Sequence, residues 1–204
     1  MVAIKIYIEG GGEGKDLDIR FREAWTKFFK AAGLERRMPR PFCGKGRKNT
    51  YDLFCTAFKN RKVEEFALLL LDSEDAVAEG DTVWQHLKKH DQMDKPAGAT
   101  DKHDYLMVQV METWLLADAE TLRTYFGKQF KVSKIPAWTD LELQSKQSIF
   151  DALDKATAGC GEKRYAKGRI SFEVLAIISP QKVADNCPHT KQLLDFLASN
   201  RTIR

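Results

Sequence analysis

The clearest feature of the hydrophobic pattern is an uninterrupted apolar run at residues 66–71 that stops at Asp72, Glu74 and Asp75. An apolar run of this length, bounded by charge, is typical of a strand buried on both faces of a parallel sheet. Ligands of such sheets gather beyond the carboxyl ends of the strands. The pattern therefore predicts a strand that carries acidic side chains into a site.

The start of the chain has the same arrangement. The apolar stretch at residues 2–8 ends at Glu9, and a glycine-rich turn that contains Glu13 follows. If the two strands are parallel neighbours, we expect their acids to share one crevice. Like charges at close range raise one another's pKa or attract a cation. The two strand ends together therefore predict a divalent metal site.

The segments between and after these strands predict an α/β fold. Residues 15–33 and 50–60 have helical spacing, whereas the Pro- and Gly-rich residues 38–48 predict a loop or a short edge strand. This order implies right-handed crossovers and a mainly parallel, Rossmann-like sheet with flanking helices. Further along the chain we expect a helix at 81–90, a loop or lid at 91–104, a strand at 105–110 and helices at 119–126, 140–156, 170–178, 181–184 and 190–199.

We expect one domain over residues 1–204, with residues 139–204 as a mostly helical C-terminal extension. This layout puts two acidic residues at the ends of predicted elements. Glu112 follows the strand at 105–110, as Glu9 and Asp72 follow theirs, and Asp118 stands where it can cap the helix at 119–126.

Composition and charge narrow the class of protein. A hydrophobic fraction of 43% and a charged fraction of 30% are ordinary for a globular protein. Because the chain has neither a signal-peptide pattern nor an apolar segment of about 20 residues, we expect a cytoplasmic protein without membrane contact. The four cysteines form no CxxC pair, which argues against structural zinc.

The net charge of +4 is small, but basic residues cluster from Arg36 to Lys48. Such a cluster is typical of a surface that contacts nucleic-acid phosphates, and a solvated face is the alternative.

The glycine-rich turn does not match the common nucleotide-binding loops. A Walker A loop would need glycine at Glu9 and Ser or Thr at Asp16, and a dinucleotide fingerprint would need glycine at Lys15. The acids of this turn would also repel phosphates unless a metal lay between them. The turn therefore favours a metal over a nucleotide.

At these residues the sequence resembles the Toprim domain, close to the branch found in OLD-type nucleases and in small Toprim-like proteins of bacterial defence islands. The Toprim pattern is a strand that ends in Glu-Gly and a later strand that ends in Asp-x-Asp. Here the two motifs are Glu9-Gly10 and Asp72-Ser73-Glu74, with Glu in place of the second Asp. OLD-type members add acids that match Glu13 and Glu112, and a late lysine for which Lys167 is the best match, with Lys163 and Arg164 as rivals.

This resemblance implies phosphodiester hydrolysis of DNA or RNA with Mg²⁺ or Mn²⁺, in anti-phage defence and alongside an ABC-like ATPase partner. It implies Glu9, Asp72 and Glu74 as core ligands and Glu13 and Glu112 as ligands of a second ion. Hard oxygen ligands suit these ions, and two such ions can activate water and stabilise the leaving oxygen. The late Lys167 would stabilise charge on the phosphate.

Several alternatives stay open from the sequence alone. The strand-end acids fit loop acids or helix caps of an ordinary α/β sheet, and Glu112 fits an ion pair with Arg123. A non-catalytic Toprim-like subunit that binds an ATPase partner or nucleic acid is the alternative function. The sequence does not indicate an oligomeric state.

Overall fold

The computed structural model describes residues 3–12 and 14–199. Four strands in this part of the chain form one parallel sheet in the order β2-β1-β3-β4. The strands are β1 (Ala3–Ile8), β2 (Arg40–Cys43), β3 (Glu65–Asp72) and β4 (Asp104–Met107). The α/β class, the parallel sheet and the helical C-terminal part predicted from the sequence are confirmed.

Helices cover both faces of the sheet and make up the regular structure of the C-terminal part. Their bounds are α1 (Lys15–Ala31), α2 (Arg47–Lys59), α3 (Val83–Asp91), α4 (Met111–Leu116), α5 (Ala119–Phe126), α6 (Lys146–Thr157), α7 (Arg169–Leu175), α8 (Pro180–Asn186) and α9 (Pro188–Ser199). None of the helices in the described residues combines the length and hydrophobicity needed to cross a lipid bilayer.

Alternate residues of each central strand enter two separate cores. In β3, Leu68 and Leu70 belong to the core beneath α1, α4 and α7, whereas Leu69 and Leu71 belong to the core beneath α2 and α3. Successive side chains of a strand point to opposite faces, so a strand buried on both faces reads as a continuous apolar run. The uninterrupted run at residues 66–71 is explained by this double burial.

Aromatic residues of α1 fill the first core. Phe21, Trp25 and Phe28 are fully buried, and Phe28 stacks on Trp114 of α4 with ring centroids 5.3 Å apart. Burial of side chains of this size contributes roughly 1.5–3 kcal/mol each. The aromatic stripe of α1 therefore holds the helix against the sheet and leaves the glycine-rich turn before it at the sheet's carboxyl edge.

Two helix starts differ from the sequence expectation by three or more residues. Helix α2 begins at Arg47 instead of residue 50, after Gly46 at the N-cap, and α6 begins at Lys146 instead of residue 140. The start of α6 is fixed by Ser145, whose side chain accepts a hydrogen bond from the amide of Ser148. Both shifts place a basic residue at the start of a helix. Asp118 caps α5 through the amide of Thr121, as predicted.

Candidate metal centre

The acids of the first and third strands meet at the carboxyl edge of the sheet. Glu9 follows the last residue of β1, and Asp72 ends the parallel neighbour β3. Each of Glu9, Asp72 and Glu74 offers a carboxylate oxygen, and these oxygens lie within 4.8 Å of one another. The expectation that the two strands carry their acids into one crevice holds for these three residues. Glu13, the fourth acid of the prediction, lies outside the described residues.

The backbone around the acids is held in unusual conformations. Glu74 has a φ of 67°, and its amide donates to the carbonyl of Gln109, which ties the turn after β3 to the segment after β4. Gly11 has a φ of 85°, and a Cβ atom there would lie 2.2 Å from Cys43 Sγ. The glycine-rich turn therefore packs directly against the end of β2, where no larger residue would fit.

A cavity of about 210 Å³ opens beside the acids. It is bounded by strand ends, the glycine-rich turn and the start of α7. Its lining includes Glu9, Asp72, Glu112, Lys167, Ser171 and Phe172. The C-terminal helical part thus supplies one wall of the site, which gives the acids a concave setting.

Burial and mutual repulsion raise the pKa values of two of the acids. Burial raises the pKa of Glu9, and the neighbouring Arg47 opposes this rise. The pKa of Asp72 is held well above its usual range, first by burial and then by the charges of Glu9 and Glu112. The positive charge of Lys167 acts against this rise. Such crowding of acids is what a bound cation would relieve.

An arginine that the sequence did not identify contacts two of the acids. Arg47 Nη1 donates to Glu9 Oε2 over 2.9 Å and to the backbone carbonyl oxygen of Asp72 over 2.5 Å. The same guanidinium donates to both carboxylate oxygens of Asp91 through Nε and Nη2. Arg47 is therefore part of the site.

The basic stretch from Arg36 to Lys48 comprises a 3₁₀ turn, strand β2 and the start of α2. Strand β2 lies at the edge of the sheet, in agreement with the short edge strand that was one of the two predictions for residues 38–48. Arg47 is turned inward to the acids, and Lys45 and Lys48 pair with Asp18 and Asp52. A local run of basic residues gives no information about which of its members pack against distant acids.

Lys146, at the start of α6, contacts the carboxylate of Glu74. The two side chains are 38% and 36% exposed, so this ion pair is open to solvent. Like Arg47, Lys146 was not selected from the sequence. The Ser145-x-x-Ser148 cap signal, which fixes where α6 begins, was available to place it.

Glu112 lies on α4 with its side chain fully buried. Its Oε1 accepts hydrogen bonds from the hydroxyls of Tyr165, at 2.6 Å, and Ser171, at 3.3 Å, and not from Arg123 as the alternative supposed. Its Oε2 is buried without a hydrogen-bond partner. Glu112 lines the cavity but stands outside the group of three acids formed by the described residues.

Of the three candidate cations late in the chain, Lys167 is the one that lines the cavity. Lys163 donates instead to the carbonyl of Tyr125, and Arg164 pairs with Asp154. The ammonium of Lys167 also lies 5.5 Å from the centroid of the Phe150 ring. Lys167 is therefore placed to act on a group bound in the cavity.

Comparison with known proteins places the chain in a family. No curated protein and no solved structure matches it. The model of one family, described as "Domain of unknown function (DUF4276)", matches residues 8–198, which include Glu9, Asp72, Glu74, Glu112 and Lys167. Since the match spans most of the chain, the protein belongs to the DUF4276 family.

Proposed function

We propose that this protein is a Toprim-like nuclease that hydrolyses phosphodiester bonds of DNA or RNA with Mg²⁺ or Mn²⁺. The observation that carries the proposal is the convergence of Glu9, Asp72 and Glu74, whose carboxylate oxygens lie within 4.8 Å of one another at the ends of adjacent parallel strands. Three carboxylates from the ends of two neighbouring strands at this spacing are a ligand set of the kind these hard cations prefer.

The balance of charge in the site also supports a divalent cation. Five carboxylates lie in or next to the site, those of Glu9, Asp72, Glu74, Asp91 and Glu112, against the three cations Arg47, Lys146 and Lys167. In their ionised forms these groups leave an excess of negative charge, which a bound divalent ion would reduce.

Each residue of the site has a separate role in the proposed reaction. Glu9, Asp72 and Glu74 would hold the ion, which when bound polarises a phosphoryl oxygen and lowers the pKa of a bound water. Glu112, with its buried Oε2 unpartnered, is the candidate ligand for a second ion. Lys167, which lines the same cavity, would stabilise negative charge that develops on the phosphate.

We extend the proposal to the substrate, the partner and the setting. The lining of a groove of about 330 Å³ between α1 and β2 includes the basic residues Arg22, Arg40 and Lys45, together with Asp18, which pairs with Lys45. The amide of Lys45 donates to the carbonyl of Gly10, which lines the acidic cavity, so the groove and the cavity share a wall. A nucleic-acid backbone would follow this groove to the acids. An ABC-like ATPase is the proposed partner, in anti-phage defence in the cytoplasm.

A non-catalytic Toprim-like subunit is the second candidate. The observation in its favour is that Glu9 and Glu74 already have cationic partners in Arg47 and Lys146. A site satisfied in this way would keep its fold without an ion and bind an ATPase or nucleic acid through its surface.

Cleavage assays separate the two candidates. We expect the protein with Mn²⁺ or Mg²⁺ to cleave supercoiled plasmid or total tRNA, and Asp72→Asn to lose this activity. Glu65→Gln, at the opposite end of the same strand, is the matched control and should cleave like the wild type. Absence of cleavage with either metal, together with co-purification of an ATPase, would support the non-catalytic subunit.

A further inference from the structure

One guanidinium joins four elements of the fold at the acidic site. Arg47 is the first residue of α2, Asp91 is the last residue of α3, Glu9 follows β1 and Asp72 ends β3. The side chains of Arg47, Asp91 and Glu9 are only 17%, 19% and 15% exposed. Four donated hydrogen bonds, two to Asp91, one to Glu9 and one to the Asp72 carbonyl, fix the position of the guanidinium.

We propose that Arg47 and Asp91 form a positioning pair that orients Glu9 for metal binding. This inference rests on the proposed function. Glu9 Oε2 accepts from Arg47 Nη1 and from the amide of Asp72, whereas Oε1 has no hydrogen-bond partner in the described part of the chain. One carboxylate oxygen is thus anchored to the protein, and the other is left for the ion. Polar groups behind a metal ligand orient it in this way, and their loss typically lowers metal affinity about 10–100-fold.

The charge of the pair argues against Arg47 as a simple substitute for the metal. Asp91 binds the guanidinium through two hydrogen bonds of 2.7 and 2.6 Å, so the pair as a unit carries no net charge. Arg47 therefore offsets the charge at Glu9 only in part, and the repulsion of Asp72 by Glu9 and Glu112 remains. The pair contributes the orientation of the Glu9 carboxylate, because the planar guanidinium of arginine fixes the plane of the groups that it binds.

The fork also explains why arginine is needed at this position. A lysine would keep the positive charge, but all of its donors are on the single nitrogen Nζ. It therefore cannot bind both carboxylate oxygens of Asp91 and reach Glu9 at the same time, as the three nitrogens of Arg47 do. We therefore expect Arg47→Lys to lose the orientation of Glu9 although the charge of the site is unchanged.

The test is the affinity of the full-length protein for Mn²⁺, measured by isothermal titration calorimetry. The double variant Arg47→Met/Asp91→Asn removes one positive and one negative charge, so the net charge of the site stays the same. We expect its Mn²⁺ affinity to fall at least about tenfold, and that of Arg47→Lys to fall similarly. The matched control is Lys5→Met/Glu65→Gln, which removes another partly buried ion pair between two strands and should bind Mn²⁺ like the wild type.

Each outcome of the Mn²⁺ titration tests whether Arg47 and Asp91 orient Glu9. If the wild type binds Mn²⁺ and both Arg47 variants bind it equally well or more tightly, the positioning role is wrong, although the metal site stands. If Arg47→Lys alone binds like the wild type, charge and not orientation is what Arg47 supplies, and the inference is also wrong. If the wild type binds no Mn²⁺, the proposed function fails and the inference fails with it. Should the double variant not fold, the smaller change Arg47→Lys decides.

Discussion

The carboxylate of Asp72 accepts a hydrogen bond from the backbone amide of Met111, which lies 2.8 Å from its Oδ1. This bond joins the end of β3 to the first residue of α4, so one oxygen of the acid supports the fold. The other oxygen, Oδ2, has no hydrogen-bond partner in the described part of the chain and is available to an ion. In Asp72, Oδ1 therefore stabilises the fold, whereas Oδ2 is the oxygen that would bind the proposed ion.

Substitution at Asp72 should separate these two roles. In Asp72→Asn the amide oxygen can still accept from Met111, and the loss of a buried charge relieves the repulsion from Glu9 and Glu112. We expect the melting temperature of the metal-free protein to be kept or raised, and the increase that Mn²⁺ gives the wild type to disappear. Asp72→Leu, which leaves the Met111 amide without its acceptor, should cost about 1–3 kcal/mol of stability. A Mn²⁺-induced increase that persists in Asp72→Asn would remove Asp72 from the ligand set.

Lys146 should compete with the metal for Glu74. Because its ammonium contacts the carboxylate of Glu74, an ion must displace this contact or share it. The pair is open to solvent, so its contribution is about 0.5–1 kcal/mol, and we expect Lys146→Met to raise the Mn²⁺ affinity about two- to fivefold. Titration calorimetry of Lys155→Met provides the control, since Lys155 lies on the same helix and pairs with Asp151 away from the cavity. An unchanged or lower affinity in Lys146→Met would show that Lys146 does not compete with the ion for Glu74.

Asp104 should make the protein less stable as the pH rises. Its carboxylate oxygens are both buried without a hydrogen-bond partner, and burial, followed by the charge of Asp101, raises its pKa to about 8. Between an unfolded pKa of about 4 and the folded value, the folded state binds one more proton than the unfolded state. The free energy of unfolding therefore falls with rising pH over this window, by up to about 1.4 kcal/mol per pH unit, and is flat above it.

Asp104→Asn should remove this dependence, since the amide carries no charge at any of these pH values. Urea unfolding at pH 5 and pH 8 measures the effect, and we expect the stabilisation by Asp104→Asn to be larger at pH 8. Glu79→Gln, at an exposed acid that does not contribute to the pKa shift of Asp104, controls for a general loss of negative charge. An equal gain from Asp104→Asn at both pH values would mean that Asp104 is ionised throughout the range.

The sheet and the acids at its edge could be predicted because their signals are local. The run at residues 66–71 shows a doubly buried strand, and the residues that end β1 and β3 are set by where the apolar pattern stops. Parallel pairing then brings strand ends together without further information. The cap that Asp118 provides for α5 could be predicted for the same reason.

The cations that compensate the acids could not be predicted, because their partners are distant in the sequence. Arg47 lies 38 residues from Glu9 and 44 from Asp91, and Lys146 lies 72 residues from Glu74. Such pairs are determined by tertiary packing, and a local charge pattern contains no information about tertiary packing. One local signal was present for Arg47. Gly46 stands directly before it and fits a helix N-cap, which would have placed Arg47 in a helix and not in the loop or short edge strand predicted for residues 38–48.

A crystal structure of the wild-type protein soaked in Mn²⁺, with anomalous diffraction data, tests the metal centre most directly. We expect an anomalous peak between Glu9, Asp72 and Glu74, with oxygens of all three within about 2.0–2.3 Å of the ion. Glu74 should then have turned from Lys146 toward the ion, while Glu9 keeps its contact with Arg47. An anomalous map without a peak there, with Glu74 still paired to Lys146, would contradict the metal site and the nuclease proposal built on it.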